Sequence, residues 1–483
     1  MRWLIAFGLV ASILSSARIA SAQDDARATR IKTGLESKFY VSGQPHETYS
    51  LAARMKHYRV AAVSIAVIDK YRVAWTYATG LRDVASGLPA TTETLFQAAS
   101  MSKAVAAAGI LRLFEVKNLN LDADVNTMLR TWQVPASPEA RGASVTMRRL
   151  LSHTAGTNVH GFAGYDRDAP LPTLVQVLNG EPPANSERVR VTVEPGTVTE
   201  YSGGGTSIAQ QLAVDVSGEP FPAFMQQTLL GPLGMTESTF DQPLPEPLWP
   251  RAADGYYSDG KPVHRGWHVY PTMAAAGLWT TPADLATFVI AIQNALRGQG
   301  RAPIDATVAR QMTTKVSQTF GLGPEVEPGY FSHNGANEGF QGVFYGLDDG
   351  GKGVVVMTNS DIGLQIAEEV VHSVAKAYAW PYLQPQPKRA IPLTSAMAQE
   401  VAGKYTGNLG SDKLTLDVTA AERNGKPELL LHSVLDGGVP VRLYVESPLH
   451  LFTLTGASLT FARGDTGGAT SVEVAGAKFS RSP

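Results

Sequence analysis

Two strand-turn-strand patterns lie far apart in this chain, and the sequence between them is mainly helical. Val60–Ile68 and Val73–Gly80 are strand-like runs on either side of the turn Asp69–Arg72. Val343–Gly346 and Gly353–Met357 repeat the pattern around a second turn rich in Asp and Gly. This order predicts an α+β fold, in which both ends of one region build a single antiparallel sheet and helices are inserted between its halves.

The segment between the hairpins carries the helix signals. Residues 155–200 are rich in Gly, Pro, Asp and Asn and predict a long loop region. Apolar residues recur at helical spacing on both sides of this loop and again after the second hairpin. The predicted helices are Ser100–Val116, Ser207–Ser217, Pro282–Leu296 and Ile366–Ala379.

The residue pattern changes near the C-terminal end of the sequence. Trp380–Pro392 contains four prolines and little apolar periodicity, which is typical of a semi-rigid linker. After Ala396, short alternating runs such as Leu414–Val418 and Arg442–Val445 predict a small β-barrel or sandwich. The predicted boundaries are a first domain over residues 23–385, a proline-rich linker over 386–396 and a β-rich domain over 397–483.

The N-terminus has the pattern of a secretory signal peptide. Arg2 supplies a positive start, Leu4–Leu14 an apolar segment, and Ala20–Ala22 a cleavage site of small residues. We therefore expect residues 1–22 to be removed on export, so that the protein works in the periplasm or as a secreted protein; an uncleaved N-terminal anchor is the alternative. Later runs fall short of the ~20 apolar residues of a spanning helix, so no stable membrane span is expected after cleavage.

Composition removes several function classes. The chain has 483 residues and a formal charge of −2, which gives no reason to expect nucleic acid as a partner. It contains no cysteine, so disulfides, cysteine-ligated zinc and thiol nucleophiles are excluded. His264 and His268 stand four apart, but the glutamate of a zinc-protease motif is missing and glycine follows nearby, so no metal site and no cofactor is predicted.

Ser100 and Lys103 form the first candidate catalytic pair. If Ser100 opens a helix, Lys103 lies one turn further on the same face, within reach of the hydroxyl. The helix N-terminus also favours a developing oxyanion. The spacing alone does not identify a catalytic pair, because Ser258–Lys261 and Ser373–Lys376 have the same spacing. The alternative is a serine N-cap followed by a surface lysine.

Two further motifs supply groups that acyl transfer would need. Tyr201 precedes Ser202 and three glycines that allow close backbone approach, although a core tyrosine before a turn would look the same. His333-Asn334-Gly335-Ala336 leads into the second hairpin, where an edge strand would offer a charge for the substrate and a backbone amide for an oxyanion. A solvent-facing histidine before a turn is the alternative.

In order and separation, these three motifs resemble those of the serine β-lactamase and penicillin-binding-protein superfamily. The likeness is greatest to the branch that holds class C β-lactamases, D-aminopeptidases and family VIII esterases, and it covers roughly residues 45–380. The C-terminal strands more weakly resemble the lipocalin-like accessory domain of some of these hydrolases. Supporting strings are Leu150–Gly156, Glu194–Gly196, Gly231–Thr236, Ala276–Thr281 and His333–Phe340.

The resemblance implies a fold and a set of roles. The fold is an antiparallel sheet flanked by helices with an all-helical subdomain. Ser100 would be the acylated nucleophile, Lys103 would share its proton, and Tyr201 would act as general base. The backbone amides of Ser100 and Ala336 would form the oxyanion hole. Gly203 and the segment His333, Asn334 and Gly335 would contact substrate.

Two positions depart from the family pattern. Gly203 stands where asparagine usually contacts the substrate, and His333 where lysine usually helps to hold a carboxylate. An imidazole of ordinary pKa is mostly neutral at pH 7 and holds a carboxylate less well. We therefore expect a serine hydrolase acting on small-molecule esters, amides or D-amino-acid peptides. A β-lactamase or D-Ala-D-Ala carboxypeptidase is the first alternative, and a catalytically silent binding protein is the second.

Overall fold

The computed structural model describes residues 23–409, 412–433, 437–464 and 467–482. The predicted signal peptide 1–22 lies outside these residues. The chain divides into two compact units, one made of residues 59–367 and the other of the described parts of residues 1–58 and 368–483.

A seven-stranded antiparallel sheet forms the framework of the unit 59–367. The strand Ala62–Asp69 is buried along its whole length, as expected for an apolar central strand. It pairs on one side with Arg72–Asp83 and on the other with Gly353–Thr358, so the two ends of the unit meet in the middle of the sheet, as predicted. The strands, in spatial order, are Leu88–Pro89, Arg72–Asp83, Ala62–Asp69, Gly353–Thr358, Phe340–Leu347, Tyr330–Asn337 and Glu325–Glu327.

Helices cover this sheet and form a helical region beside it. Pro282–Leu296 packs against the central strands; it begins at Pro282 because the Thr281 side chain accepts a hydrogen bond from the Asp284 amide. Met101–Val116 is alanine-rich and buried on nearly all sides, and it contacts Gly203–Ser217 and Met273–Ala276. The remaining α-helices of this unit are Met147–Leu151, Leu174–Asn179, Phe221–Met225, Gly231–Leu233 and Ala306–Thr313.

Short elements complete the unit. Phe96–Gln97 pairs with Trp279–Thr280, and Tyr165–Asp166 pairs with His268–Val269. Trp279 is fully buried and belongs to the core. The segment Gln226–Leu230 is a π-helical turn, and the 3₁₀ turns are Val125–Thr127, Pro138–Ala140, Glu246–Arg251 and His264–Gly266.

The other unit contains a closed eight-stranded antiparallel barrel, which confirms the predicted C-terminal barrel. Consecutive strands are neighbours, and the last strand closes onto the first through Tyr405 and Arg481. Apolar side chains that alternate along the strands, such as Leu416 and Val418, fill its interior. The barrel strands are Gly403–Leu409, Asp412–Arg423, Lys426–Ser433, Val441–Ser447, His450–Phe452, Ser458–Arg463, Ala469–Val474 and Ala477–Arg481.

The predicted linker 386–396 contains regular structure. Gln386–Lys388 forms a parallel pair with Phe39–Val41, and the helix Ser395–Val401 begins at its end, capped by the Thr394 side chain. The other helices of this unit are residues 23–33 and Leu51–Tyr58, and the helix Gly363–Ala377 runs through the point of division. Among the described residues, no helix combines the length and apolar character needed to cross a membrane.

Candidate active site

Ser100 sits at the start of the long buried helix Met101–Val116. The residue before it, Ala99, has a φ of 49°, a left-handed conformation that non-glycine residues rarely adopt and that occurs often at functional sites. Ser100 is half-buried on the wall of a cavity of about 500 Å³. Within the described residues, its backbone amide donates no hydrogen bond, so that this N–H is free for a ligand atom.

Lys103 places its amine against the nucleophile. Its Nζ lies 2.9 Å from Ser100 Oγ and 2.8 Å from the carbonyl oxygen of Ala275. The side chain is only 4% exposed. Burial disfavours the charged form and lowers the pKa of Lys103 to about 7. A large fraction of this lysine is therefore neutral near pH 7, where it can accept a proton.

Tyr201 faces the same hydroxyl. Burial raises the pKa of its phenol, and a hydrogen bond with the Ser100 side chain lowers this pKa by less. The ring also lies 4.9 Å from Lys103 Nζ. Because the pKa stays raised, Tyr201 is a neutral phenol at pH 7, and a free phenolate does not fit this environment.

His153 holds Tyr201 in place. Its ring packs against the phenol ring at 4.4 Å, and its Nδ1 accepts a hydrogen bond from the Ser202 amide at 3.1 Å. Burial, with the nearby Lys103, keeps the pKa of this imidazole well below its ordinary value. His153 is buried, and it supports the phenol ring and the start of the following helix rather than lining the cavity.

The strand Tyr330–Asn337 forms the opposite wall. Asn334 and Ala336 are exposed and line the cavity, whereas Gly335 between them is buried. A side chain on Gly335 would stand 3.0 Å from the Ser100 nitrogen and 2.3 Å from the Ala98 carbonyl oxygen. Only glycine therefore lets this strand lie against the turn that carries the nucleophile.

His333 does not take the position expected of a substrate-binding residue. It is 1% exposed, and its ring lies 6.3 Å from that of Tyr201. Its Nδ1–H donates to the carbonyl oxygen of Asn334 at 2.5 Å, and its Nε2 has no partner among the described residues. Burial and the nearby Lys103 lower the pKa of His333 to about 3. The expectation that His333 offers a charge to substrate is corrected, because a buried neutral imidazole cannot do so.

Gly203 also lies away from the cavity wall. It is buried, and its amide donates to the carbonyl oxygen of His160 at 3.0 Å. A Cβ at this position would stand 3.1 Å from that oxygen and 3.1 Å from the Phe162 ring. The glycine therefore allows the loop with His160 and Phe162 to close over the helix start. Those two side chains line the cavity, and a direct contact between Gly203 and substrate stays a prediction.

Five polar or aromatic side chains of the cavity were not predicted. Four of them come from the segments 157–162 and 317–327, whose sequences show no helix or strand periodicity, although loops often carry binding residues. Asn337 is held by Gln97 and by the Ala276 carbonyl oxygen. In the described part of the chain, no three His, Asp or Glu side chains converge as metal ligands would. The unpredicted residues are His160, Phe162, Phe320, Glu325 and Asn337.

The family assignment rests on a match over most of the chain. The family model described as Beta-lactamase matches residues 50–379, which include all three motifs. The chain belongs to the Beta-lactamase family. Among relatives, this Beta-lactamase family chain is 25% identical over 266 residues to "Putative penicillin-binding protein PbpX" of Bacillus subtilis (strain 168), a match that covers 55% of the chain and 61% of the relative.

A second relative is "Esterase EstB" of Burkholderia gladioli. It is 28% identical over 215 residues, which cover 41% of the chain and 51% of that protein. The chain thus spans between about half and three fifths of these two curated relatives.

Solved structures support the fold. The octameric penicillin-binding protein homologue from Pyrococcus abyssi matches 89% of this chain and 98% of its own, with a TM-score of 0.60 at 20% identity. A class C beta lactamase from Rhodobacter sphaeroides matches 68% of the chain and 98% of its own, with a TM-score of 0.53 at 18% identity. At these identities the likeness concerns the fold alone.

Proposed function

We propose that this Beta-lactamase family protein is a serine hydrolase that cleaves ester or amide bonds through an acyl-enzyme on Ser100. The observation that carries the proposal is the 2.9 Å contact between Ser100 Oγ and the buried amine of Lys103, whose pKa is about 7. A serine hydroxyl needs such a neighbouring base before it becomes a useful nucleophile. We further propose that the protein acts after export, on the basis of the predicted signal peptide 1–22.

In the acylation step, Ser100 Oγ attacks the carbonyl carbon of the substrate. Its proton passes to the neutral amine of Lys103, and the carbonyl oxygen becomes an oxyanion that accepts hydrogen bonds from the amides of Ser100 and Ala336. When the tetrahedral intermediate collapses, the bond to the leaving group breaks. Lys103 returns its proton, through the Tyr201 phenol, to the leaving alcohol or amine. An ester on Ser100 remains.

Deacylation uses the same groups in the same order. A water molecule gives one proton to Lys103 while its oxygen attacks the ester carbon. The second tetrahedral intermediate collapses, the Ser100 oxygen takes the proton back, and the acid is released. In both steps Tyr201 is a neutral relay between Lys103 and the departing atom, because its raised pKa disfavours a phenolate. This assigns the base to Lys103 rather than to Tyr201.

Two alternative functions, a β-lactamase or D-Ala-D-Ala carboxypeptidase and a silent binding protein, are distinguished by the same tests. Relatives described as a penicillin-binding protein and a beta-lactamase favour β-lactam or D-Ala-D-Ala chemistry. The buried, neutral His333 weighs against it, since those substrates carry a carboxylate that a cation at this strand would hold. A silent binding protein would be acylated once, or never, without a second turnover.

Turnover assays on the purified chain test the proposal. We expect hydrolysis of p-nitrophenyl acetate or butyrate, or of D-alanyl anilides, that disappears in Ser100→Ala. Ser258→Ala is the matched control, because Ser258 has a lysine at the same spacing but lies outside the cavity. Loss in Ser100→Ala with full activity in Ser258→Ala supports the proposal. Absence of turnover on every ester and anilide contradicts it, and Ser100-dependent nitrocefin turnover that exceeds ester turnover would favour a β-lactamase.

A further inference from the structure

Glu325 places an acidic group on the wall of the catalytic cavity. It begins the short edge strand Glu325–Glu327, pairs with Ser332 of the neighbouring strand, and is half-buried. Its side chain lines the cavity together with Ser100, Lys103 and Tyr201. Its charge also contributes to the raised pKa of Tyr201.

The Glu325 carboxylate has no counter-charge within the described residues. No ion pair or side-chain hydrogen bond is made by it there, and no cation lowers its pKa, which burial and the neighbouring Glu327 raise. The amine of Lys103 is already bonded to Ser100 and Ala275. Glu327 differs, because Lys315 lies 3.4 Å from it. A half-buried carboxylate without a partner is costly for the fold, and a cation that enters the cavity would offset that cost.

The rest of the cavity offers a substrate carboxylate few partners, because only Lys103 and His160 among the described lining residues carry a basic nitrogen. Among the described lining residues, Glu325 is the only acid, and Lys103 is the only one with an amine. His333, at the position expected to hold a carboxylate, is neutral and buried. Phe320 lies on the same wall, and its ring packs 5.8 Å from that of Tyr201. Aromatic faces attract ammonium groups as well as apolar ones.

We propose that Glu325 binds a protonated amino group of the substrate, so that the preferred substrates are esters or amides whose acyl part carries a free amine. This inference rests on the proposed hydrolase function and narrows its substrate class. A substrate carboxylate at this wall would meet Glu325 and be repelled. Glu325 is thus a specificity residue, and the bond-breaking steps do not pass through it.

The test compares two anilides that differ in one group. Alanine p-nitroanilide, as both enantiomers, carries an ammonium where isobutyric p-nitroanilide carries a methyl group. At pH 7 most of an α-amino group of ordinary pKa is protonated. We expect wild type to prefer one alanyl enantiomer over the isobutyryl compound. In Glu325→Gln, kcat/KM for that enantiomer should fall at least about tenfold more than for the isobutyryl compound, as for loss of a charged hydrogen bond.

Glu327→Gln is the matched control, since it removes a neighbouring acid that does not line the cavity. It should change neither rate by more than about twofold. If both anilides are turned over slowly, alaninamide and isobutyramide are compared as inhibitors of p-nitrophenyl butyrate hydrolysis. The same ordering is then expected for their inhibition constants, and the alaninamide advantage should again be lost in Glu325→Gln.

This inference would be overturned if Glu325→Gln lowered kcat/KM equally for both compounds, or if wild type did not prefer the compound with the ammonium. The proposed function would remain intact in either case, provided that ester hydrolysis depends on Ser100. Ester hydrolysis that is absent, or that survives in Ser100→Ala, would overturn the proposed function and this inference with it.

Discussion

Gly335 and Ser100 approach so closely that a Cβ on the glycine would stand 3.0 Å from the Ser100 nitrogen. The Ala98 carbonyl oxygen would be closer still, at 2.3 Å. Both contacts are with backbone, which cannot move aside as a flexible side chain can. Because glycine has no side chain, the strand that carries Ala336 can lie this close to the amide of Ser100.

Gly335→Ala should separate the two amides that are proposed to bind the oxyanion. We expect kcat for a p-nitrophenyl ester to fall at least about 10²-fold, as for loss of one oxyanion donor. Circular dichroism and the thermal midpoint would show that the variant is folded. A folded Gly335→Ala protein with wild-type kcat would contradict the oxyanion assignment.

Lys103 should set the pH dependence of the reaction. The neutral amine is the active form, and burial brings its pKa to about 7, so kcat/KM should rise with pH through about 7 and level off above it. In Lys103→Ala, kcat should fall at least about 10²-fold, and the rise of kcat/KM near pH 7 should disappear. Lys261→Ala, an exposed lysine at the same spacing from a serine, should keep both rate and profile. A wild-type profile without a limb near 7 would remove Lys103 as the base.

Tyr201→Phe separates a relay from a base. Loss of the phenolic proton should cost at least about 10² in kcat. The remaining activity should keep the limb near pH 7, because Lys103 rather than Tyr201 titrates there. A Tyr201→Phe enzyme of wild-type rate would remove the tyrosine from the mechanism, and a limb displaced to high pH would return the base to Tyr201.

His333 should make the fold less stable in acid. The pKa of His333 is about 3 in the folded chain and about 6.5 in the unfolded chain. Below pH 6.5 the unfolded state therefore binds a proton at this residue that the folded state does not bind. Stability should therefore fall as pH drops from about 6.5 towards 3, by about 2 kcal/mol at pH 5.

His333→Gln removes this contribution, and the thermal midpoint should fall less between pH 7 and 5 than in wild type. His264→Gln, at an exposed histidine, is the comparison variant. An unchanged slope in His333→Gln would mean that this imidazole is not buried in its neutral form.

Much of the fold could be predicted from local patterns. The helix Pro282–Leu296 was predicted with the bounds that the structure has, because a threonine N-cap and a proline at the first position mark its start. The hairpin around Asp69 was found from its turn and its β-branched flanks. The short strands Glu325–Glu327 and Gln386–Lys388 were missed, since two or three residues give no periodicity.

The site could be predicted in part. Ser100 and Lys103 lie one turn apart at the start of one helix, and Tyr201 lies just before another, so each could be recognised from a local motif. Which side chains face the cavity depends on the tertiary structure and cannot be predicted from local motifs. His333 and Asn334 are neighbours on one strand, yet His333 is buried near Tyr201 and Asn334 is exposed on the cavity wall. The raised pKa of Tyr201 and the partnerless carboxylate of Glu325 depend on burial, which the sequence does not display.

Labelling of the nucleophile tests the central claim most directly. Purified wild type would be treated with a fluorophosphonate probe and, separately, with p-nitrophenyl butyrate under acid quench, and the peptide that carries Ser100 would be read by mass spectrometry. We predict one adduct, on Ser100, that is absent in Ser100→Ala and fully retained in Ser258→Ala, with a butyryl ester that forms and then decays at neutral pH. An active protein in which Ser100 stays unmodified would contradict the account.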